Sequence, residues 1–450
     1  MTYPEALAYL ESLVNYEHQR DPEAMRAMDL ERMRRLCRRL GDPQRRFRSI
    51  LVAGTNGKGS ICAMLYAMLR ESSLRVGCYT SPHLEQARER IRVWTEGPRE
   101  EGPAPGEDWI SEADFAAMIE QLQPGHTPTY FEALTAVALA YFSRRQVEIA
   151  VLEVGLGGRL DATNVVDQAV SIIAPIGLDH ADVLGADLAA IAREKAGIIK
   201  PGQLAFTAPQ DEAVMGVLRD ACDAQGVPLL VCDHDVTVRI DRHDLAGLQV
   251  SITGLRGIYP SLEIPLLGRH QATNAALAVG ALEALSPTGV PYSLVERGLS
   301  RVDWPGRLEV VSDAPLVILD GAHNPEAARA LREALAELCE GRRIHFLVGV
   351  SSDKDVEAFG QVLGSLAIGA TCTQSGHPRA LDATELARRL MPFCPDVNVI
   401  CDVADAYTYL RNALSPEDVL VVTGSLFLVG QVRAGLRRSI RSRRREAAVA

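Results

Sequence analysis

A glycine-rich segment near the N-terminus has the composition of a phosphate-binding loop. It reads Gly54-Thr55-Asn56-Gly57-Lys58-Gly59-Ser60, and it lies between an apolar run and a helical pattern. Its glycines let backbone N–H groups turn inward around phosphate oxygens, while Lys58 supplies a positive charge and Ser60 a hydroxyl for Mg²⁺. We therefore expect this loop to bind ATP. A plain glycine-rich turn is the alternative, because the spacing departs from the common G-x-x-x-x-G-K-S/T form.

Two further polar residues follow buried apolar runs. Glu153 ends one such run, and His180 lies just after another. A carboxylate at the end of a buried strand is costly unless it is paired or binds a metal, so Glu153 is a candidate Mg²⁺ ligand. An ion pair between Glu153 and Arg159 is the alternative. His180 is either a hydrogen-bonded structural histidine or, beside a phosphate loop, a metal ligand.

Polar groups at the ends of other predicted elements are open to more than one interpretation. Lys195 stands near the C-terminus of a predicted helix, where compensation of the helix dipole is its default role. In the second half of the chain, Asn324 is predicted to cap a helix that begins at Pro325. Helix capping does not explain the presence of Asp320 and His323 in the same turn. The Asp320 carboxylate could accept hydrogen bonds from ribose hydroxyls.

The elements that must position these residues form an α/β pattern. Short apolar runs alternate with helical patterns, as at residues 50–53, 147–154 and 170–176, which is typical of a mostly parallel sheet. Residues 236–264 read instead as short strands with glycine-containing turns, which predicts a small antiparallel patch. An alanine-rich helix is predicted over residues 270–285.

A second α/β alternation begins after a Pro-Gly turn at Pro305 and Gly306. It includes predicted strands at residues 316–319, 344–348 and 419–422. We place a domain boundary in front of this turn, because a Pro-Gly pair ends a helical pattern. The sequence thus predicts a P-loop domain over residues 1–303 and a smaller, Rossmann-like domain over residues 304–450.

Composition narrows the classes of partner. The chain has 450 residues, 47% of them hydrophobic, and a formal net charge of −11. It therefore lacks the broad positive field that nucleic-acid backbones require, and we expect small-molecule partners. Nine cysteines without a Cys-x-x-Cys pair fit reduced, mostly buried thiols better than disulfides or structural zinc, which favours the cytoplasm.

Neither a secretory signal nor a membrane span is expected from the sequence. The first twenty residues contain several acidic side chains and no apolar run, so we do not expect a secretory signal. The chain has no uncharged stretch of membrane-spanning length. An arginine-rich run from Arg433 to Arg445 is interpreted as a solvated helix end, with contact to nucleic acid or a membrane as the alternative.

Taken together, the motifs resemble one family. The chain contains, in this order, G-T-N-G-K-G-S, T-S-P-H-L, L-E-V-G-L-G-G-R-L-D-A-T-N, G-L-D-H, E-K-A-G-I, G-x-H-Q-x-x-N-A, P-G-R and D-G-A-H-N-P. This set resembles the bifunctional dihydrofolate synthases/folylpolyglutamate synthases of the Mur ligase superfamily. The resemblance runs from Gly54 to residues 423–426 and so covers nearly the whole chain. It implies an α/β fold in which a P-loop, Mur-ligase-like central domain precedes a smaller C-terminal domain.

The resemblance also implies roles for matching residues. Lys58 would contact the β and γ phosphates of ATP, and Lys195 would be carbamylated to support one of two Mg²⁺ ions; with His180 these form the expected catalytic set. The Mg²⁺ ligands would be Ser60, Ser81, Glu153 and His180. The ATP contacts would be Gly54, Thr55, Asn56, Gly57, Lys58, Gly59, Ser60, Asn274, Arg307, Asp320 and His323, with ATP between the domains. The pterin-binding positions would be Thr129, Tyr130, Phe131, Glu132, Leu160, Asp161 and Ala162.

The implied reaction is an ATP-dependent amide ligation in a monomeric enzyme. ATP would phosphorylate the carboxylate of dihydropteroate or a reduced folate, and the α-amine of L-glutamate would displace the phosphate. The segment from Thr129 to Glu132 favours the bifunctional enzyme over one that uses folates only, which remains the alternative. A P-loop ATPase or kinase of another class would explain Glu153 but not Asp320 or Lys195. A regulatory nucleotide-binding protein would not need the full set of metal positions.

Overall fold

The computed structural model describes residues 1–18, 21, 29–99, 106–122 and 128–449. The chain divides into two compact units. Unit 1 comprises Met1–Arg242, Leu248–Pro265 and His270–Asp303, and unit 2 comprises His243–Gly247, Leu266–Arg269 and Trp304–Ala450. The last division between the units therefore falls just before the Pro-Gly turn. Two short stretches, His243–Gly247 and Leu266–Arg269, belong to unit 2 in the structure, although the sequence places them in the predicted first domain.

Unit 1 contains a seven-stranded sheet. Its strands are β1 (Arg48–Ala53), β2 (Val76–Tyr79), β3 (Ile91–Trp94), β4 (Ile149–Glu153), β5 (Val170–Ile173), β6 (Leu204–Thr207) and β7 (Leu229–Val231). The order is β3-β2-β4-β1-β5-β6-β7, and only the edge strand β3 runs antiparallel to its neighbour. The prediction of a mostly parallel sheet is confirmed.

Helices cover this sheet and bury its apolar strands. They are Tyr3–Glu11, Leu30–Arg39, Lys58–Arg70, Glu112–Leu122, Tyr130–Arg144, Ala181–Leu184, Leu188–Ala196, Glu212–Gln225, His270–Leu285 and Tyr292–Ser300. Helix Lys58–Arg70 follows directly on the glycine loop, and every residue from Gly59 to Leu69 is buried. A helix that is apolar on all sides must lie inside the unit. The loop in front of it is therefore fixed to the core.

A separate three-stranded sheet accounts for the predicted short strands with glycine-containing turns. Strands β8 (Thr237–Asp244), β9 (Gly247–Thr253) and β10 (Ile258–Ile264) lie in the order β10-β9-β8, and β9 and β10 are antiparallel. The predicted antiparallel patch is thus confirmed. The helix that follows has the predicted bounds, residues 270–285.

Unit 2 is built on a six-stranded sheet. Its strands are β11 (Glu309–Asp313), β12 (Leu316–Leu319), β13 (Ile344–Val348), β14 (Ala367–Cys372), β15 (Val397–Val399) and β16 (Val419–Thr423), in the order β11-β12-β16-β13-β14-β15. Only β11 is antiparallel to its neighbour. The helices are Pro325–Leu338, Val356–Leu363, Ala383–Leu390, Val403–Ala413 and Leu426–Val449. This is the predicted α/β arrangement.

The cysteines are mostly buried, as the cysteine pattern predicts. All nine cysteines are free, and all except Cys401 are buried. Burial raises the pKa of thiols such as Cys37 and Cys78 to about 12, so these thiols stay protonated and unreactive near neutral pH.

None of the helices in the described parts of the chain is both long enough and apolar enough to span a bilayer.

Candidate functional site

The strand order of unit 1 brings four predicted site segments to one edge of the sheet. Strands β2, β4, β1 and β5 are adjacent and parallel, so their carboxyl ends share an edge. Ser81 follows β2, Glu153 ends β4, the glycine loop follows β1, and His180 lies beyond the end of β5. Ligands of open α/β sheets bind at this edge.

The glycine loop has a conformation that only glycine allows at two positions. Gly54 has φ +146°, and a Cβ there would lie 2.6 Å from the Cβ of Ala174. Gly57 has φ +85°, and a Cβ there would lie 2.7 Å from the Oδ1 of Asn274. The loop is thus packed between strand β5 and a buried amide. Asn274 belongs to the predicted ATP contacts, and the structure brings it against the loop.

Two side chains of the loop form hydrogen bonds that fix its conformation. One bonds within the loop, and the other bonds to the segment after β5. The Lys58 ammonium donates to the carbonyls of Gly54 and Thr55, at 3.1 Å each. The Thr55 hydroxyl donates to the carbonyl of Gly177 and accepts from its N–H, both at 3.1 Å. Thr55 therefore ties the loop to the segment that carries His180.

Glu153 contacts the predicted metal-binding segment after β2. Its Oε2 accepts the backbone N–H of Ser81 at 3.0 Å, and its side chain is buried. The alternative ion pair with Arg159 is wrong, because Arg159 is mostly exposed and pairs with Glu194 at 2.9 Å. The loop after Gly157 turns the arginine toward the helix that contains Glu194. Glu153 itself lies at the end of β4, where its carboxylate accepts the N–H of Ser81.

The donor set at this edge fits Mg²⁺. In the described residues, no three His, Cys, Asp or Glu side chains lie close enough together to hold a metal by themselves. Mg²⁺ in nucleotide sites is instead held by one or two carboxylates, hydroxyls and water together with substrate phosphates. Ser60, Ser81 and Glu153 supply that kind of oxygen ligand. His180, at φ +53°, stands at the same edge with Asp179 beside it, 3.9 Å from its Nε2.

Lys195 is buried against the glycine loop. Its ammonium nitrogen donates to the Gly54 carbonyl at 2.9 Å, and the residue is 4% exposed. Burial, followed by the charge of Lys58, lowers the pKa of Lys195 to about 7. Lys195 does lie in the last turn of helix Leu188–Ala196, but unlike a solvated lysine at a helix end it is buried and contacts the glycine loop. Near neutral pH a large share of Lys195 carries an uncharged amine.

Asp161 fixes the loop that follows β4. Its Oδ2 accepts the N–H groups of Gly155 and Leu156 at 3.0 and 2.9 Å, and its Oδ1 accepts the N–H and hydroxyl of Thr163 at 2.9 and 2.5 Å. Burial raises the pKa of this carboxyl, and these donors oppose the shift. Asp161 therefore shapes the loop that presents Leu160 and Ala162.

The predicted pterin segment begins a helix beside that loop. Thr129 and Glu132 form a capping box at the start of helix Tyr130–Arg144, and Arg32 donates to both oxygens of Glu132 at 2.8 Å. A Cβ at Gly155 would lie 2.5 Å from the ring of Phe131, so the glycine makes room for that ring. The Phe131 ring thus packs against the loop after β4, while Thr129 and Glu132 fix the start of the helix.

A buried charged cluster under this helix was missed from the sequence. The Arg90 side chain is 1% exposed and forms two hydrogen bonds to Glu17, at 2.7 and 2.6 Å. Its Nε donates to His83 Nδ1 at 2.9 Å, and its guanidinium lies 5.5 Å from the centre of the Tyr130 ring. Burial, followed by Arg90, lowers the pKa of His83 to about 3. An arginine placed directly before an apolar strand is the one sequence signal of this cluster.

Unit 2 carries the remaining predicted nucleotide contacts in two neighbouring turns, residues 306–308 and residues 320–323. Asp320 accepts the N–H groups of Leu308 and Ala322, each at 2.9 Å, and each oxygen keeps a second lone pair. Burial raises the pKa of Asp320, and the Arg307 charge opposes the shift. His323 Nδ1 lies 2.8 Å from the Gly321 carbonyl oxygen. Arg307, Asp320 and His323 are therefore neighbours.

The helix after this turn starts as predicted. The Asn324 side chain accepts the N–H of Ala327 at 2.8 Å, and Pro325 is the first helical residue. The predicted N-cap is confirmed.

A second polar cluster of unit 2 was also missed. Asp353 and Lys354 follow β13, and Arg379 follows β14 at the same sheet edge. Arg379 donates to Asp353 at 3.0 Å, and the Lys354 ammonium lies 3.9 Å from the same carboxylate. Two cationic side chains thus lie beside one carboxylate at this edge. The charged run S-S-D-K-D directly after an apolar strand was the available signal.

Comparison with known proteins gives consistent matches for both units. Residues 52–282 match the family described as Mur ligase middle domain, and residues 306–426 match the one described as Mur ligase, glutamate ligase domain. The dihydrofolate synthase/folylpolyglutamate synthase of Mycobacterium tuberculosis is 37% identical over 471 residues, which cover 94% of this chain and 93% of the relative.

Solved structures agree with the sequence matches. Escherichia coli FolC in complex with DHPP and ADP superposes with a TM-score of 0.84 at 32% identity, over 99% of both chains. The bifunctional folylpolyglutamate synthase/dihydrofolate synthase of Yersinia pestis, complexed with AMPPNP and Mn ion, gives a TM-score of 0.82 at 32% identity, over 97% of this chain and 98% of that one.

Proposed function

The chain belongs to the Mur ligase superfamily, to its dihydrofolate synthases/folylpolyglutamate synthases, and we propose that it joins L-glutamate to dihydropteroate and to reduced folates with ATP. One observation of the structure carries this proposal. The glycine loop, Ser81, Glu153 and His180 share one sheet edge, and the amine of Lys195 is buried against that loop. A nucleotide site alone does not require this lysine.

The first step we propose is transfer of the γ-phosphoryl group of ATP to a substrate carboxylate. Phosphoryl transfer needs positioning and charge neutralisation more than a protein nucleophile. The loop N–H groups and Lys58 would bind the phosphates, with Lys58 leaving its carbonyl partners for them. Mg²⁺, when bound, neutralises charge on the transferring group, and Ser60, Ser81, Glu153 and His180 would hold it.

Lys195 is proposed to be carbamylated. Carbamate formation requires an uncharged amine, and the buried Lys195 has a pKa of about 7. The bond from its N–H to the Gly54 carbonyl survives this change, because the carbamate nitrogen keeps one hydrogen. The product would place a negative group beside the phosphate loop, where it would support a Mg²⁺ ion. We expect Lys195→Ala to lose activity and short-chain carboxylates to restore part of it; no restoration would contradict the carbamate.

The pterin end of the substrate is assigned to the region of Phe131. The ring reaches Gly155 in the loop after β4, and Tyr130 lies beside it over the Arg90 guanidinium. Aromatic faces and the shaped loop suit a flat heterocycle. Both dihydropteroate and reduced folates carry such a ring, so this region would accept either substrate. A folate-only enzyme is the alternative.

Glutamate is proposed to bind to unit 2. Lys354 and Arg379 both lie beside the carboxylate of Asp353 at the carboxyl edge of the second sheet. A guanidinium and an ammonium group at this edge have the chemistry to bind the carboxylates of an amino acid. The α-amine of glutamate would attack the acyl phosphate, forming the amide bond and releasing phosphate.

Phosphate release tests this proposal. The purified protein should release phosphate from ATP and Mg²⁺ only when both L-glutamate and dihydropteroate or a reduced folate are present, with one amide formed per phosphate. Lys58→Ala should lose this activity, whereas Lys354→Ala should raise the KM for glutamate. Equal phosphate release without the amine, and no amide, would refute ligation. Parallel assays with dihydropteroate and with a reduced folate decide between the two-substrate and folate-only enzymes.

A further inference from the structure

The long C-terminal helix of unit 2, Leu426–Val449, contacts the turn that carries Asp320. At its first residue, Leu426 packs so closely on Gly321 that a Cβ there would lie 2.4 Å from the leucine side chain. The Gly321 N–H in turn donates to the Gly306 carbonyl at 2.9 Å. This end of the helix therefore fixes the turn of Asp320 from one side.

Further along the same helix, a salt bridge connects it to the neighbouring turn, Gly306–Leu308, which carries Arg307. The Arg433 Nε donates to both oxygens of Glu309, at 2.9 and 3.0 Å, and the two side chains are 13% and 22% exposed. Glu309 Oε2 also accepts the backbone N–H of Gly306 at 2.9 Å. The carboxylate thus connects the helix to the residue directly before Arg307.

The conformation of that turn needs such support. Gly306 has φ +75°, and Leu308 has φ +49°, a left-handed conformation that is unfavourable for a branched side chain. Arg307 lies between these two residues. A turn with two left-handed residues holds its shape only when the surrounding contacts determine it, and Glu309 and Asp320 supply contacts to Gly306 and Leu308.

We propose that Arg433, acting through Glu309, is a positioning residue for nucleotide binding: it holds the Gly306–Leu308 turn so that Arg307 and Asp320 face the nucleotide. The first arginine of the basic C-terminal run thereby has a role separate from the others. The inference rests on the proposed nucleotide contacts of Arg307 and Asp320. Arg433 itself touches no substrate.

A graded set of variants tests the connection. Glu309→Ala removes both the salt bridge and the acceptor for Gly306, so we expect the KM for ATP to rise about tenfold. Arg433→Ala and Glu309→Gln leave an acceptor on residue 309, and each should raise this KM about threefold. Arg438→Ala, on the exposed part of the same helix, is the matched control and should change nothing. The KM for dihydropteroate should stay within about twofold in all four variants.

The result that overturns the inference is a fall in the thermal midpoint of Glu309→Ala and Arg433→Ala with an unchanged KM for ATP, because the pair then only stabilises the fold. A parallel rise of the KM values for ATP and dihydropteroate also overturns it. Arg307→Ala separates this failure from failure of the proposed function. If Arg307→Ala weakens ATP binding while Glu309→Ala does not, only the inference is wrong. If Arg307→Ala leaves ATP binding unchanged, the proposed nucleotide contact is wrong, and the inference falls with it.

Discussion

Lys195 should make the protein less stable than it would be with an apolar residue, and replacement by methionine tests this. Methionine has a similar length and no charge. The Gly54 carbonyl that accepts from Lys195 also accepts from Lys58, so it keeps a hydrogen-bond partner in the variant. We expect Lys195→Met to be more stable than the wild type near neutral pH and inactive as a ligase.

The size of the effect follows from the pKa. Burial lowers the pKa of Lys195 from 10.5 to about 7, so the folded state binds this proton less well than the unfolded state does. The linked cost is on the order of 4 kcal/mol at pH 7 and about 1 kcal/mol at pH 10. It is fully present below pH 7 and disappears as the pH rises past the unfolded pKa. After about 1 kcal/mol for the lost hydrogen bond, Lys195→Met should gain about 3 kcal/mol at pH 7 and nothing at pH 10.

Thermal unfolding between pH 7 and pH 10 measures this difference. Both proteins are compared in buffer free of bicarbonate, so that the lysine is unmodified. The thermal midpoint of the variant should exceed that of the wild type by roughly 5 °C or more at pH 7, with the two curves converging by pH 10. A variant that is less stable at pH 7, or a difference that does not change with pH, would refute the assignment of a neutral, buried amine.

Three further substitutions address separate parts of the site. Gly57→Ala places a Cβ 2.7 Å from Asn274 Oδ1 at φ +85°, so calorimetry should show ATP binding at least about tenfold weaker, and unchanged binding would contradict the loop geometry. Glu153→Gln should raise the Mg²⁺ concentration needed for half-maximal phosphate release about tenfold or more; the same Mg²⁺ dependence as the wild type would remove Glu153 from the ligands. Phe131→Ala empties the space beside Gly155 and should raise the KM for dihydropteroate about tenfold while that for ATP stays constant, whereas equal changes in both would count against a pterin contact.

The fold was predictable where local signals agree with packing. Helix Pro325–Leu338 begins where predicted, because Asn324 caps it and proline occupies its first position. The stretches of residues 243–269 that join unit 2 were not predictable. There His243 meets Glu337 at 2.8 Å, a contact between residues 94 apart in sequence.

The site was predictable in its motifs and not in its long-range contacts. The glycine loop, Glu153 and His180 were predicted because each lies at or after the end of an apolar strand. The contact of Lys195 with Gly54 was not predictable from local position, since Gly54 is 141 residues away. Arg90 escaped notice for the same reason, because Glu17 lies 73 residues before it. Periodicity identifies elements, and only the folded sheet shows which distant elements become neighbours.

The strand order of unit 1 also determines the point during translation at which the nucleotide site can form. The glycine loop leaves the ribosome early, but its neighbours in the sheet and at the site, β4, His180 and Lys195, emerge much later, and Asn274 later still. A nascent chain therefore carries the nucleotide motif through most of its synthesis without the contacts that shape it. Protein that is released early by truncation would lack a functional site and would not sequester ATP.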